Sequence, residues 1–219
     1  MSSPLIIDYY TDILCVWGWI AQRRNEELLK QFGNKIDISY HYIDVFGDAA
    51  TKIPTQWSER GGYDGFSAHV LESAKPFESA IVNADVWSKV RPMSSANTHL
   101  VLKAIELAYS KQHSIEFALK FRKAFFVDAQ DISNIDVLLT IITQESLDCS
   151  LVNQAIANGS AMASLMKDYQ QAKTLGLKGS PTYIMNSGRQ TLYGNVGYRL
   201  LSANINELLN KSKNDASWC

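Results

Sequence analysis

The sequence predicts an α/β protein in which a mixed four-stranded sheet is interrupted by an all-helical insertion. A strand, a helix and a second strand precede residue 46, and two strands and a helix return after residue 180. The residues between these parts have the spacing of helices almost throughout. We therefore predict a discontinuous domain formed by residues 1–65 and 176–219, with residues 66–175 inserted into it as a helical domain.

The opening strand–helix–strand unit is predicted by three local patterns. Residues 5–10, "LIIDYY", are β-branched and aromatic, which is typical of a strand. Apolar residues at helical spacings fill residues 16–32, and Gly33 follows as a stop signal. Apolar and polar residues alternate through 35–45, which predicts the second strand. Parallel strands with a right-handed crossover are the default for such a unit.

The middle and the end of the chain complete the prediction. Residues 46–65 are rich in Gly, Pro, Thr and Ser, so we predict a long irregular loop. Six helices are expected at residues 66–75, 94–109, 114–127, 135–143, 151–158 and 160–175. Strands at 181–185 and 189–194 flank an "NSG" turn and predict an antiparallel hairpin, after which a helix spans 196–211.

Composition excludes several classes of function. The 219 residues carry a net charge of −1 with no strongly basic segment, so nucleic-acid or anionic-membrane partners have no electrostatic support. No stretch approaches the roughly 20 apolar residues that span a bilayer. The start "MSSPLIIDYY" does not resemble a secretory signal. We expect a cytoplasmic protein, and the oligomeric state stays open, a homodimer included.

The three cysteines, Cys15, Cys149 and Cys219, are too few and too far apart to suggest a disulfide framework. Neither they nor the four histidines have the spacing of a metal site, so no metal is predicted. Cys149 is expected to fill space in the helical part, since free cysteines are often buried. Cys219 is expected to be an incidental thiol.

Cys15 lies where the first strand is followed by a helix, and two interpretations stand. Helix-terminal N–H groups favour a thiolate and lower a cysteine pKa, and ligands bind at the carboxyl ends of strands. Alternatively, Cys15 is a free cysteine packed in the core. Ser180 and Pro181 begin the third strand, which the order of elements brings beside Cys15. If their peptide bond is cis, the Ser180 backbone is open to pair with an extended peptide or glutathione.

These motifs, "CVWG" at residues 15–18 and "GSPTYI" at 179–184, resemble the DsbA family of the thioredoxin superfamily over about residues 4–212. The FrnE-like branch is the most similar, and 2-hydroxychromene-2-carboxylate isomerases and kappa-class glutathione transferases are also similar. The resemblance implies a thioredoxin fold, oxidoreductase activity and a cis bond before Pro181. It also implies that the helix start at Asn195 binds the γ-glutamyl carboxylate of glutathione, although a plain N-cap is the alternative.

Gly18 departs from the dithiol pattern, because those family members have their second cysteine there. The resemblance therefore implies single-thiol chemistry with Cys15 as nucleophile and with glutathione or protein thiols and disulfides as partners. We expect Gly18 to leave space for a ligand, the alternative being a harmless replacement. Trp17 is expected to line the site while Trp19 packs in the core.

Two other functions stay open. One is a glutathione-dependent transferase or isomerase acting on an aromatic small molecule, and the other is a non-catalytic peptide-binding protein. Aromatic residues near the predicted loop could cover an apolar substrate pocket or form a satellite core; they are Phe46, Trp57, Tyr63 and Phe66. Asp12 could tune the thiol or simply end the strand, and His41 is expected to be a structural histidine.

Overall fold

The computed structural model describes residues 3–210, which form one mixed sheet surrounded by helices. The strands are Leu5–Thr11 (β1), Ile36–Tyr42 (β2), Thr182–Met185 (β3) and Gln190–Tyr193 (β4). The helices are Val16–Phe32 (α1), Ala49–Gln56 (α2), Gly62–Ala74 (α3), Ala96–Ala108 (α4), Lys111–Phe126 (α5), Ile135–Gln144 (α6), Cys149–Ala157 (α7), Ser160–Thr174 (α8) and Tyr198–Asn210 (α9). The predicted fold class is confirmed.

The sheet topology brings three chain segments to one edge. The strand order is β2-β1-β3-β4, with β1 parallel to β2 and β3 antiparallel to both of its neighbours. Strands β1 and β2 end side by side, with Thr11 opposite Tyr42. Because β3 runs the other way, it begins at this same edge, with Thr182 opposite Tyr10. The segment after β1 therefore lies next to the segment before β3.

Successive side chains of β1 point to opposite faces of the sheet and are buried on both faces. Tyr9 belongs to the main hydrophobic cluster, which continues from the sheet through the helices between β2 and β3. Tyr10 faces the other way and packs with Ala172 of α8 and Ile184 of β3. Burial of each large apolar side chain contributes about 1.5–3 kcal/mol. The sheet and the helices thus share one core.

The predicted irregular loop at residues 46–65 is wrong, because α2 and the start of α3 lie there. The Asp48 side chain caps α2 by accepting the Thr51 N–H at 3.1 Å. Pro54 lies inside α2, and Gly65 is required near the start of α3 because a Cβ there would be 1.7 Å from the Arg60 carbonyl oxygen. Pro54 and Gly65, whose residue types usually interrupt helices, are therefore accommodated within helices here and do not mark a loop.

Two boundaries also differ from the prediction. The helices between β2 and β3 begin at Ala49 rather than at residue 66, and the last helix begins at Tyr198 rather than at residue 196. The division into a discontinuous sheet domain and an inserted helical domain stays a prediction. Across residues 3–210, no helix combines the length and the apolar character needed to cross a bilayer.

Candidate active site

Cys15 and the Ser180–Pro181 peptide meet at the sheet edge where β1 ends and β3 begins. Cys15 is the N-cap residue of α1, with φ −79° and ψ 121°. Its thiol donates a hydrogen bond to the Ser180 carbonyl oxygen, with Sγ 3.3 Å from that oxygen. The Ser180–Pro181 peptide bond is cis. The structure therefore brings together three of the residues that the sequence placed in the site.

The Cys15 thiol is buried, with 6% of the residue exposed. Burial raises the pKa of Cys15 above its ordinary value and outweighs hydrogen bonds from the Ser180 side chain and from the Gly18 and Trp17 backbone, which lower it. The negative charge of Asp12 adds to the increase. The N–H groups at the helix terminus act in the expected direction, but the expected net lowering of the Cys15 pKa is wrong, because removing a thiolate from water costs more than these groups return.

Asp12 joins three parts of the chain around Cys15. Its buried carboxylate accepts the Leu14 N–H at 2.9 Å, the Phe46 N–H at 2.8 Å and the Ser95 hydroxyl at 2.9 Å. These partners lie before α1, after β2 and at the N-cap of α4. Burial raises the pKa of Asp12 to about 6 despite these bonds. Asp12 thus does more than end β1, because it fixes the segment that carries the thiol.

His99 of α4 holds the same segment from the other side. Its Nε2 accepts the Ile13 N–H at 3.1 Å, so its Nδ1 carries the proton and donates to the Tyr169 hydroxyl at 2.9 Å. Burial lowers the pKa of His99 to about 3, so the ring is neutral near pH 7. The ring stacks on Tyr42, with centroids 4.6 Å apart. Sequence reasoning missed His99, because no local motif marks it.

The space beside Gly18 is filled, so the expected ligand space is absent there. Gly18 is buried, and a Cβ on it would lie 2.8 Å from Thr11 Oγ1 and 3.0 Å from Arg122 Nη2. The Arg122 guanidinium of α5 donates to Thr11 Oγ1 at 2.6 Å and to Gln22 Oε1 at 3.1 Å. Gly18 is therefore a close-packing position and not a ligand-binding one. Arg122 was also missed from the sequence.

The two tryptophans of α1 differ as expected. Trp19 is 6% exposed, donates from Nε1 to the Ile81 carbonyl oxygen at 3.0 Å and stacks on Phe126. Trp17 is only half-buried and packs at the margin of the core. Trp17 is thus the one with surface left for a ligand, and its binding role stays a prediction.

Asn195 is exposed and lies before α9, so its interpretation as an N-cap is wrong. Its Oδ1 accepts a hydrogen bond from Arg24 Nη2 of α1 at 2.6 Å. Arg24 also lies over the Phe77 ring, 5.5 Å from its centroid. The pair is exposed, and the contact of Asn195 with the γ-glutamyl carboxylate of glutathione stays a prediction.

Two of the aromatic residues near α2 and α3 pack in the hydrophobic core and do not cover a pocket. Phe46 and Phe66 are each 8% exposed, and both rings contact Trp87, which is fully buried. A cleft of about 630 Å³ lies nearby and includes Lys52 and Tyr169 in its lining. Both phenylalanines belong to the main hydrophobic cluster, so they neither cover a pocket nor form a separate satellite core.

Cys149 and His41 take no part in the thiol site. Cys149 is half-buried in α7, and its Sγ lies 3.4 Å from the Leu139 carbonyl oxygen. Cys219 lies outside the described residues. His41 binds the carboxylates of Asp8 and Asp168 at 3.0 and 3.1 Å, which is the structural role expected of it.

One curated relative is similar in sequence. It is the ClpXP adapter protein SpxH from Halalkalibacterium halodurans, 27% identical over 188 residues that cover 83% of this chain. The chain spans 58% of that protein's length.

Solved structures of DsbA-like proteins share the fold at low sequence identity. A putative protein disulfide isomerase from Nitrosomonas europaea superposes with a TM-score of 0.77 at 12% identity, covering 94% of this chain and 98% of that one. The cytosolic disulfide reductase DsbM from Pseudomonas aeruginosa, solved with GSH, gives 0.69 at 17% identity, covering 92% and 100%. A 2-hydroxychromene-2-carboxylate isomerase gives 0.63 at 15% identity, covering 93% and 95%.

A family model settles the assignment that the fold and the motifs indicate. The model of the DSBA-like thioredoxin domain matches residues 6–206, which include both Cys15 and Pro181. The predicted resemblance is confirmed, and the chain belongs to the family of DSBA-like thioredoxin domains.

Proposed function

We propose that this protein is a thiol–disulfide oxidoreductase that uses Cys15 as its single active-site thiol and glutathione as co-substrate. The observation that carries the proposal is the 3.3 Å contact between Cys15 Sγ and the carbonyl oxygen of Ser180, beside the cis bond to Pro181. An extended chain that enters here meets a nucleophile and a backbone acceptor together. The similarly folded disulfide reductase DsbM, solved with GSH, supports the choice of glutathione.

The chemistry requires two exchange steps. The Cys15 thiolate attacks the glutathione sulfur of a mixed disulfide, which forms a Cys15–glutathione disulfide and releases the other thiol as a thiolate. A second glutathione thiolate then attacks the glutathione sulfur on Cys15, which regenerates the Cys15 thiolate and releases oxidised glutathione. In the net reaction one mixed disulfide is reduced, and the glutathione it held leaves joined to one free glutathione as oxidised glutathione. No second protein cysteine is needed in a compartment that supplies glutathione, which we expect to be the cytoplasm.

The contact with Ser180 suits this cycle. The thiol occupies the Ser180 carbonyl oxygen while Cys15 is reduced. When Cys15 enters a disulfide it has no proton to donate, so the carbonyl becomes free to accept an N–H from the bound chain. Binding of the substrate chain is thereby coupled to disulfide formation.

The test is treatment of the folded protein with oxidised glutathione, followed by peptide-resolved mass spectrometry. We expect Cys15 to gain the adduct ahead of Cys149, although Cys15 is the more buried of the two. A preference for the more buried thiol would reflect the reactivity of Cys15 rather than its exposure. Adducts on Cys149 or Cys219 with none on Cys15 would refute the proposal.

Activity assays on the protein and on Cys15→Ser separate the enzymatic alternatives. We expect glutathione-dependent reduction of a mixed disulfide by the native protein and its loss in the serine variant. Conjugation of glutathione to an aromatic electrophile that survives in the serine variant would favour the transferase or isomerase instead.

A non-catalytic protein-binding role is the second candidate, favoured by the similarity to the adapter protein SpxH and by the low exposure of Cys15. In that case Cys15 would take up glutathione only after unfolding in urea, and the native protein would reduce no disulfide. The adduct experiment, run with and without urea, distinguishes the two candidates.

A further inference from the structure

Arg122 is a buried cation with an incomplete set of partners. Its side chain is fully buried and donates to Gln22 and Thr11 from its two Nη atoms. Within residues 3–210 it forms no ion pair with a carboxylate, and its Nε has no hydrogen-bond partner there. A buried charge is costly unless an opposite charge compensates it. Arg122, whose charge already acts on Asp12, is therefore placed to stabilise a further negative charge that forms nearby.

The hydroxyl groups next to Arg122 lead toward Cys15. Thr11 Oγ1, which accepts from Arg122, lies 3.3 Å from Ser180 Oγ. Ser180 Oγ in turn accepts the Asp12 N–H at 2.9 Å. Ser180 is also the residue whose carbonyl oxygen accepts the Cys15 thiol. A continuous set of contacts thus joins the guanidinium to the residue that touches the sulfur.

The proton count allows a direction for this set of contacts that ends at the sulfur. A guanidinium only donates, and each hydroxyl has one proton and two acceptor positions. Either hydroxyl can be the donor between Thr11 Oγ1 and Ser180 Oγ; since Thr11 already accepts from Arg122, we take Thr11 as the donor to Ser180 Oγ. In that arrangement Ser180 Oγ accepts from both Thr11 and the Asp12 N–H, which leaves its own proton for the sulfur that contacts the carbonyl oxygen of the same residue. The hydrogen bond from the Ser180 side chain indeed favours the thiolate form of Cys15 and lowers its pKa.

We propose that Arg122, Thr11 and Ser180 form a polarised relay that stabilises the Cys15 thiolate from inside the protein. Ser180 serves both states of the sulfur: its carbonyl accepts from the thiol, and its hydroxyl donates to the thiolate. Arg122 and Thr11 are positioning residues, since neither touches a substrate. The inference rests on the proposed function in that it explains how a buried thiol can act as a nucleophile.

The experiment measures the rate of Cys15 alkylation by iodoacetamide between pH 6 and 10, resolved by peptide mass spectrometry. Thr11→Val keeps the shape of Thr11 but removes its hydroxyl, and Thr11→Ser restores the hydroxyl. We expect Thr11→Val to move the alkylation profile to higher pH by about one pH unit, which slows alkylation about tenfold at neutral pH. Thr11→Ser should recover the original profile.

Arg122→Met tests the origin of the relay, with Lys123→Met as its control. Lys123 is the exposed neighbour of Arg122 on α5, so its change removes the same charge from the same helix. We expect Arg122→Met to move the profile as Thr11→Val does, and Lys123→Met to leave it in place. Thermal unfolding of each variant establishes that it is folded, and if Arg122→Met does not fold, the comparison of Thr11→Val with Thr11→Ser decides.

The double variant Thr11→Val with Arg122→Met should move the profile no further than either single change, because both interrupt one chain. An unchanged profile in folded Thr11→Val, or failure of Thr11→Ser to recover it, would overturn the relay. The alkylation rate of Cys15 can be measured without enzymatic turnover. A relay that passes this test in a protein that forms no glutathione adduct would refute the proposed function alone, and an adduct with an unmoved profile would refute the relay alone.

Discussion

Gly18 shows how one position can exclude the familiar dithiol chemistry. The Arg122 guanidinium and the Thr11 hydroxyl occupy the space that any side chain at Gly18 would need. Thr11 is β-branched and lies on a strand, and Arg122 is fully buried, so neither can move away easily. A second cysteine cannot be restored at this position without displacing the buried cation. Gly18 and Arg122 therefore belong to one arrangement.

Gly18→Ala should destabilise the protein by about 1–2 kcal/mol, although alanine normally stabilises a helix interior by about 0.5–1 kcal/mol over glycine. The reason is overpacking against Thr11 and Arg122. The matched control is the pair Arg23→Ala and Arg23→Gly at an exposed site of α1, where alanine should be the more stable. Urea unfolding measures the free energy of unfolding for the variants at both positions. A Gly18→Ala variant at least as stable as the native protein would contradict the packing argument.

Helix α4 positions the thiol segment from within the helical insertion. Ser95, its N-cap residue, donates to Asp12, and His99, one turn later, accepts from Ile13. The segment between β1 and α1 is therefore fixed by side chains that follow it by more than eighty residues. A helix that the sequence assigns to the insertion is in fact part of the scaffold of the site.

The pH dependence of His99→Gln tests this role of α4. The pKa of His99 is about 3 in the folded protein, below its ordinary 6.5, so the unfolded chain binds the extra proton as pH falls below about 6.5. Native stability therefore decreases toward low pH, by up to ~1.4 kcal/mol per pH unit, and the glutamine variant lacks this loss.

We expect His99→Gln to be less stable than the native protein at pH 7.5, and the difference to shrink at pH 4.5. Asp12 acts in the opposite sense, since its pKa is raised to about 6 and stability is lost as pH rises through that value. That contribution is common to both proteins and cancels in the comparison to first order. Urea unfolding at the two pH values gives the difference in unfolding free energy between the native protein and the variant. A difference that is independent of pH would contradict a buried neutral His99.

Across the whole molecule, a buried polar cluster ties the sheet to the insertion. The Asp168 carboxylate of α8 accepts the Tyr42 N–H at 3.0 Å and binds His41 and Lys103, each at 3.1 Å. Burial acts to raise the pKa of Asp168, but His41 and Lys103 hold it below its ordinary value. Lys103 is 4% exposed, so its charge depends on this carboxylate and on that of Glu106, 2.9 Å away. Strands and helices are thus joined by charge as well as by their common hydrophobic core.

Asp168→Ala should destabilise the protein by about 3–5 kcal/mol, because it leaves a buried lysine with less compensation. For a chain of this size, that corresponds to a melting temperature lower by roughly 10 °C. Asp85→Ala is the control, since Asp85 pairs with Lys89 at the surface and such pairs contribute about 0–1 kcal/mol. Calorimetry should show one transition in each case, because the core is shared. Independent melting of the sheet and the insertion would contradict this.

Local sequence patterns determined the fold class, most elements and the meeting of Cys15 with Pro181. Periodicity marks strands and helices directly, and the order of parallel and antiparallel strands brings the segments after β1 and before β3 to one edge. The helix α2 escaped prediction because Pro54 is a local breaker that tertiary packing tolerates.

Only the tertiary structure decided the electrostatic state of the site. The burial of Cys15, the direction of its pKa and the filling of the space at Gly18 depend on Arg122, Ser95, His99 and Ser180, which are distant from Cys15 in the chain. Solvation and charge are sums over all neighbours in space, and no pattern within one segment contains them. The sequence therefore determined that Cys15 and Pro181 meet, and packing decided what the chemistry of the site can be.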